Sequence, residues 1–316
     1  MMSSLKSLKE ACIPMDEVLS GELRDEMFAA SLSEVVHGKA HPVYQDPALF
    51  FANTYPTERT TSFLREVMGR LSGTDGTASS FFRLDTPFGG GKTHALIALY
   101  HLATSPPSRE TLRRLSLDPK ALPTGPVKVV SVTCDKDLDP ANGVEKEGVR
   151  VHHLWGELAF QLGGPEGYGL VERSDTQGTA PGPQFLDRLV GTRPTLILID
   201  EPAPYMRMMG RAANQLPAFL KTLAEWVTAS SSRTVLVLTL AWNPMARQPA
   251  AEDAFATETQ EMVEALERTF REIQSVINRP AKVVTPAQEA DIAPILRQRL
   301  FQRVDASAAS AVADAY

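Results

Sequence analysis

Cysteine is nearly missing from this chain. Cys12 and Cys134 are the only two in 316 residues, and they lack metal-ligand spacing. That excludes a disulfide-stapled fold or a cysteine-bound metal, and leads us to expect a reduced, cytoplasmic protein. No apolar run approaches the roughly 20 residues that span a bilayer. The opening MMSSLKSLKE also has no apolar stretch of the signal-peptide kind. Neither secretion nor a membrane partner is expected. An excess of positive charge is absent too: 32 Lys and Arg stand against 38 Asp and Glu, for a formal charge of -6. This balance argues against a protein that coats nucleic acid with its whole surface, although net charge does not report a local groove. No basic stripe with interleaved aromatics stands out, so DNA is a possible partner that the residues do not show. Internal repeats are absent as well.

What remains is an ordinary globular composition, 43% hydrophobic and 22% charged. The length exceeds one average domain, yet a single α/β domain with additions fills it. Residues 14–36 carry Leu23, Met27, Leu32 and Val35 near helical spacing and read as a helix despite Gly21. The stretch HPVYQDPALFFANTYPT (41–57) reads as an ordered connector, and residues 59–72 as a helix closed by Gly73. Short apolar runs then alternate with helices. Strands are expected at 79–85, 127–134, 195–201, 234–240 and 281–285. Helices are expected at 92–104, 149–162, about 212–228, 252–278 and 291–304. In the fourth of these, Val263, Leu266, Phe270, Ile273 and Ile277 form an apolar face expected to pack on the chain's own sheet. Residues 163–184 hold too much glycine, proline and polar residue and read as a loop or insertion. Strands joined by helical crossovers imply a parallel sheet covered on both faces.

The chemistry concentrates in LDTPFGGGKTHALIALYHL, residues 84–102. A phosphate-binding loop has the pattern G-x-x-x-x-G-K-[ST], and here Thr86 fills the slot of the first glycine. That glycine mainly serves the turn out of the strand, which Pro87 fixes instead. The anion contacts come from backbone N–H groups near the loop's end, where Gly89, Gly90 and Gly91 allow the chain to curl around a phosphate. Lys92 reaches the β- and γ-phosphates, and Thr93 offers its hydroxyl to Mg²⁺. Pro87 and Phe88 belong to the same loop. His94, next in line, borders the bound nucleotide and is expected to pack or cap in the loop helix.

The run TLILIDE (195–201) supplies a second half. Four apolar residues ending in Asp200 match a Walker B strand, whose carboxylate orients Mg²⁺ at the sheet's C-terminal edge. Glu201 is placed to orient or deprotonate the attacking water. Aligning TLILID with TVLVLT sets Thr239 level with Asp200, where it would sense the γ-phosphate or hold the water; Asn243 is its rival. His152 and His153 are read as structural. Arg297, Arg299 and Arg303 form either a solvated face or a contact to phosphate, in cis or as an arginine finger. Tyr44 and Tyr55 either stack on adenine or pack in the core. No guanine-reading N-K-x-D motif is evident, and the residues alone do not separate ATP from GTP.

The succession of ELRDEMFAASLSEVV, YQDPALFFANTYPT, LDTPFGGGKTHALIALYHL and LILIDE resembles the N-terminal ATPase region of a large bacterial group. That group is catalogued as a domain of unknown function and includes the PglY/BrxC-like ATPases of BREX phage-defence systems, with relatives beside DNA methyltransferases. The likeness runs from about residue 15 to 304, and TPFGGGKTH is its most specific part. It implies a P-loop ATPase with an AAA+-like core, a role against foreign DNA, and a homo-oligomer or multi-subunit complex with a methyltransferase. Members are longer than this chain, whose end AASAVADAY reads as a helix cut short. EPAPY after the acidic pair and the insertion at 163–184 depart from the pattern.

We therefore expect a three-layer α/β P-loop fold with a parallel sheet. Residues 1–75 would form an N-terminal helical segment and connector, 76–285 the ATPase core, and 286–316 the start of a helical lid. The loop strand is expected at the centre, beside the Thr239 strand. The expected activity is Mg²⁺-dependent ATP hydrolysis driving a conformational cycle; the alternative is a nucleotide-gated scaffold with negligible turnover. A phosphotransferase is the least favoured, because the Asp-Glu pair activates water.

Overall fold

The computed structural model describes residues 7–21, 30–86, 91–229, 232–241, 264–266, 268 and 281–315. Its strands, in chain order, are β1 (Cys12–Pro14), β2 (Phe81–Thr86), β3 (Lys128–Thr133), β4 (Val144–Lys146), β5 (Val149–Val151), β6 (Thr195–Asp200), β7 (Thr234–Ala241), β8 (Lys282–Val284) and β9 (Phe301–Val304). Five of them form a parallel sheet in the order β3-β6-β7-β2-β8. The loop strand β2 does lie beside the Thr239 strand β7. The centre, however, belongs to β7, with β2 one place off it.

Alternation along the strands explains the layers. Leu196 and Leu198 of β6, with Val235 and Val237 of β7, join a core on one face with Leu96, Leu99 and Leu64. Ile197 and Ile199, with Leu236 and Leu238, join a core on the other face with Trp155, Leu158, Phe219 and Leu223. All six residues of β6 are buried, so its apolar run has no polar face to show. The helices Glu58–Ser72 and Lys92–Thr104 cover the first face, and Leu154–Gly169 and Gln215–Ala229 the second. This is a three-layer α/β fold. Each fully buried Leu or Ile contributes about 1.5–3 kcal/mol of transfer free energy, which makes the sheet a rigid platform for its edge.

Several sequence expectations need correction. The helix expected over 14–36 is not continuous: Asp16–Ser20 ends at Gly21 in a left-handed C-cap, and a separate helix Leu32–Val36 starts at the Ser31 cap. The connector 41–57 holds two short helices, Pro42–Gln45 and Pro47–Asn53, the second capped by Asp46. Each carries proline in its first turn, where no N–H is missed. Residues 149–151 belong to a hairpin with β4, so the following helix begins at Leu154.

The expected loop 163–184 is largely helical. The Leu154–Gly169 helix runs through a kink at Gly164, and Glu172–Thr176 makes a further turn of helix. Its anchor is Asp175, fully buried, which accepts the backbone N–H of His152 at 2.8 Å and of His153 at 2.9 Å. Tyr168 Oη donates to the same carboxylate at 3.2 Å. Finally, 301–304 is not helix but strand β9, antiparallel to β1. Residues 12–14 and 301–304 thus meet next to the helix Glu289–Leu300. The 252–278 helix and Asn243 lie outside the described residues, apart from 264–266 and 268. Among the described residues no helix is long and apolar enough to cross a membrane.

Candidate functional site

Parallel strands aim their C-terminal ends at one edge, and open α/β sheets bind ligands there. At this edge β2 delivers the loop, β6 delivers Asp200 and Glu201, and β7 delivers Thr239. Pairing of Ile199 with Leu238 puts the next residues, Asp200 and Thr239, level. Their side chains meet: Thr239 Oγ1 donates to Asp200 Oδ1 at 2.6 Å. The other carboxylate oxygen, Oδ2, accepts Thr93 Oγ1 at 3.1 Å. A third bond closes the set, from the Glu201 backbone N–H to Thr239 Oγ1 at 3.2 Å. Thr239 therefore holds both residues of the acidic pair.

Gly91 caps the loop helix Lys92–Thr104 with φ of 77°, a conformation that costs glycine nothing and that side chains resist. Lys92, Thr93 and His94 follow it on the first turn. Pro87, Phe88, Gly89 and Gly90 lie outside the described residues. Glu201 is itself left-handed, at φ 52°, where a non-glycine residue carries strain on the order of 1 kcal/mol or more. The surrounding structure enforces it through the Thr239 bond and the helix Pro202–Met208 that starts next.

Burial sets the electrostatics. Desolvation, then the neighbouring Asp200, pushes the Glu201 carboxyl up to about 7, with Lys92 pulling the other way. The Asp200 carboxyl is raised by burial, against its bonds from Thr239 and Thr93. Lys92 is buried and its ammonium is lowered by desolvation, while Glu201, Asp200 and Asp85 favour its charge. A cation and two carboxylates thus share one poorly hydrated edge. Among the described residues no group of three or more His, Cys, Asp or Glu is arranged to hold a metal ion. A phosphate-bound Mg²⁺ needs fewer protein ligands: it takes hard oxygens, keeps waters, and uses substrate phosphates for the rest. The Thr93 hydroxyl beside the Asp200 carboxylate is a donor set of that kind.

Above this edge lies a cleft of about 460 Å³, within the range of small-ligand pockets. Gly91, Lys92, Thr93 and Glu201 line it, together with Tyr55, Thr57, Ile295 and Arg299. Thr60 and Pro286 also line it, tied together with Thr57 by the two threonine hydroxyls, which donate to the Pro286 carbonyl at 2.8 and 3.0 Å. His94 also borders the cleft, but its imidazole faces protein: Nε2 lies 2.9 Å from Thr54 Oγ1 and the ring 4.5 Å from Phe50. Because Thr54 Oγ1 already donates to the Phe50 carbonyl, Nε2 carries the proton. Burial lowers this histidine to about 3, so it is neutral and offers a phosphate no charge.

The two tyrosines part company. Tyr44 is buried and packs on Phe50, while Tyr55 stands exposed at the rim. The three arginines divide as well: Arg299 turns to the cleft, its guanidinium over the Tyr44 ring and bonded to the Tyr44 hydroxyl. Arg297 and Arg303 point away, into a neighbouring cavity. His152 and His153 do not line the cleft; their backbone N–H groups bond to Asp175.

Sequence reading missed Asp135. It follows β3, whose Thr133 pairs with Asp200, and its charge opposes ionisation of both Asp200 and Glu201. One of its carboxylate oxygens is buried without a hydrogen-bond partner. The acidic run after the β3 strand, CDKD, was the available signal, because every parallel strand delivers its next residues to the same edge. No curated protein and no solved structure matches the chain. Residues 8–277 match the family model described as the DUF499 N-terminal domain, and the chain belongs to that family of unknown function.

Proposed function

We propose that this chain binds Mg²⁺-ATP in the cleft and hydrolyses it, and that turnover drives a conformational cycle in a DNA-directed phage-defence complex. The observation that carries the reading is the hydrogen-bonded chain from Thr93 through Asp200 and Thr239 to the Glu201 backbone, set beside Lys92. Loop threonine, strand aspartate and neighbouring glutamate converge as a phosphate-hydrolysing edge requires. The phage-defence setting rests on the resemblance of TPFGGGKTH and its flanks to the PglY/BrxC-like ATPases.

In this mechanism the backbone around Gly91 and the Lys92 ammonium take the terminal phosphates. Bound Mg²⁺ would offset the charge on the transferring phosphoryl group, held by Thr93 and Asp200. Glu201 takes a proton from the attacking water; a carboxyl near 7 is well matched to that task at neutral pH. Thr239 keeps Glu201 beside Asp200, and Arg299, on the lid side, meets the nucleotide as the cleft closes. Tyr55 offers the base a ring at the rim.

The test is equilibrium ATP binding with Mg²⁺, alongside phosphate release, for the wild type and Lys92→Ala. Loss of the lysine should weaken binding about 10- to 100-fold, the worth of a charge-assisted hydrogen bond. ATP bound equally by both proteins would remove the loop from the site. Tight binding by the wild type with no phosphate release would leave a nucleotide-gated scaffold as the better description.

A further inference from the structure

A second cavity, of about 740 Å³, adjoins the nucleotide cleft. It forms where the helix Glu289–Leu300 runs into β9, and where β9 pairs with β1. Its walls include Tyr55, Arg297, Gln298, Phe301, Gln302 and Arg303, and no carboxylate lines it among the described residues. β9 meets β1 through a register shift, with Ile13 opposite Arg303 and Pro14 opposite Phe301, and Phe301, Gln302 and Arg303 all line the cavity.

The walls are built rather than incidental. Arg297 Nη2 donates to the Val304 carbonyl at 3.1 Å, which holds the guanidinium over the groove. Gln298 Nε2 donates to the Ala52 carbonyl at 2.9 Å, and Gln302 Nε2 to Asp16 Oδ1 at 3.1 Å. Both carboxamides are thereby fixed. Arg297 and Arg303 remain exposed to solvent, as does Tyr55. In a chain of net charge -6, a groove lined by two guanidiniums, with the neighbouring Asp16 carboxylate taken up by Gln302, favours an anion. Its two aromatic rings ask for more than a charge. Successive phosphates with unstacked bases between them satisfy both, because guanidiniums take the backbone while rings stack on bases.

We propose that this groove binds single-stranded nucleic acid, with Arg297 and Arg303 on phosphates and Tyr55 and Phe301 stacking on bases. An acidic peptide would use the arginines and leave the rings idle. Arg297, Arg303 and Phe301 line this cavity and not the nucleotide cleft, so the proposal is tested on them; Tyr55 lines both.

The experiment is fluorescence anisotropy of a short labelled oligothymidylate against salt, using the full chain. Wild type, Arg303→Ala, Arg297→Ala/Arg303→Ala and Phe301→Leu are compared, with ATP binding and thermal unfolding measured on each. Saturable binding is expected, with a salt slope that falls by about 0.7 for each arginine removed. Phe301→Leu should weaken binding about tenfold at unchanged slope. ATP affinity should stay constant in all four, which separates failure here from failure of the nucleotide site. Arg303→Ala alone carries the test if the double variant does not fold. No saturable binding by the wild type would overturn the proposal, as would unchanged affinity in the arginine variants. Displacement by polyglutamate, with Phe301→Leu silent, would make the groove a peptide site instead.

Discussion

Two buried carboxylate regions of this molecule are built in opposite ways. Around Asp175, both oxygens are filled by backbone and phenol donors. At the sheet edge, Asp200 leans on two hydroxyls, Asp135 keeps an unpartnered buried oxygen, and Glu201 is held near 7 in a strained backbone. The first arrangement spends its charge on holding a segment in place. The second leaves acceptors and protonation states open, which costs stability and is useful only if a ligand completes it.

Substitutions can break or sharpen that contrast. Asp175→Ala should do the most damage to the fold. It strands two backbone N–H groups, at about 3–5 kcal/mol, while the Tyr168 hydroxyl keeps the Arg150 carbonyl at 2.7 Å, and thermal unfolding should fall by roughly 10 °C. ATP affinity of the folded fraction should not change. Gly156→Ala should act through the same carboxylate, because a Cβ there would meet Asp175 Oδ1 at 2.5 Å. A loss of about 1–3 kcal/mol is expected in chemical denaturation, again without a shift in nucleotide affinity. Thr239→Val frees Asp200 Oδ1 and the Glu201 N–H together. Steady-state kinetics should show kcat lowered about tenfold, a loss restored by Thr239→Ser and not by a merely space-filling residue.

The smallest effect is on stability at the site itself, and its sign is opposite. The Glu201 carboxyl rises from 4.5 to about 7 on folding, so the folded state binds more protons between those values. Its contribution is fully present below pH 4.5 and is lost as pH rises through 7. Glu201→Gln removes that penalty. It should stabilise the chain at pH 8 by about 1–2 kcal/mol, discounted for partial exposure, and by much less at pH 5. Thermal melts at the two pH values decide it.

How much of this was legible in the chain follows from where the information sits. The β6 and β7 runs are apolar at consecutive positions, because both faces are covered, and TPFGGGKTH and LILIDE announce their edge unaided. Level placement of Thr239 with Asp200 followed from aligning two strands of equal phase. The Asp175 region was opaque for the opposite reason. Its glycines and Pro165 argue locally against helix, and the carboxylate that overrides them bonds to backbone more than 20 residues away. The same holds for the cleft: Thr57 and Thr60 are tied into its lining through a carbonyl contributed by Pro286. The arginine groove escaped notice because Tyr55 and β9 come together only through the fold, and β9 is a strand only because β1 pairs with it.

The most direct measurement is single-turnover phosphate release by Glu201→Gln beside the wild type, with ATP binding and the pH 8 melt taken on the same samples. The account predicts turnover lowered about 10²- to 10⁴-fold, ATP binding retained, and a higher melting temperature. Equal turnover in the two proteins, or a variant that melts lower at pH 8, would contradict it and return Glu201 to the scaffold.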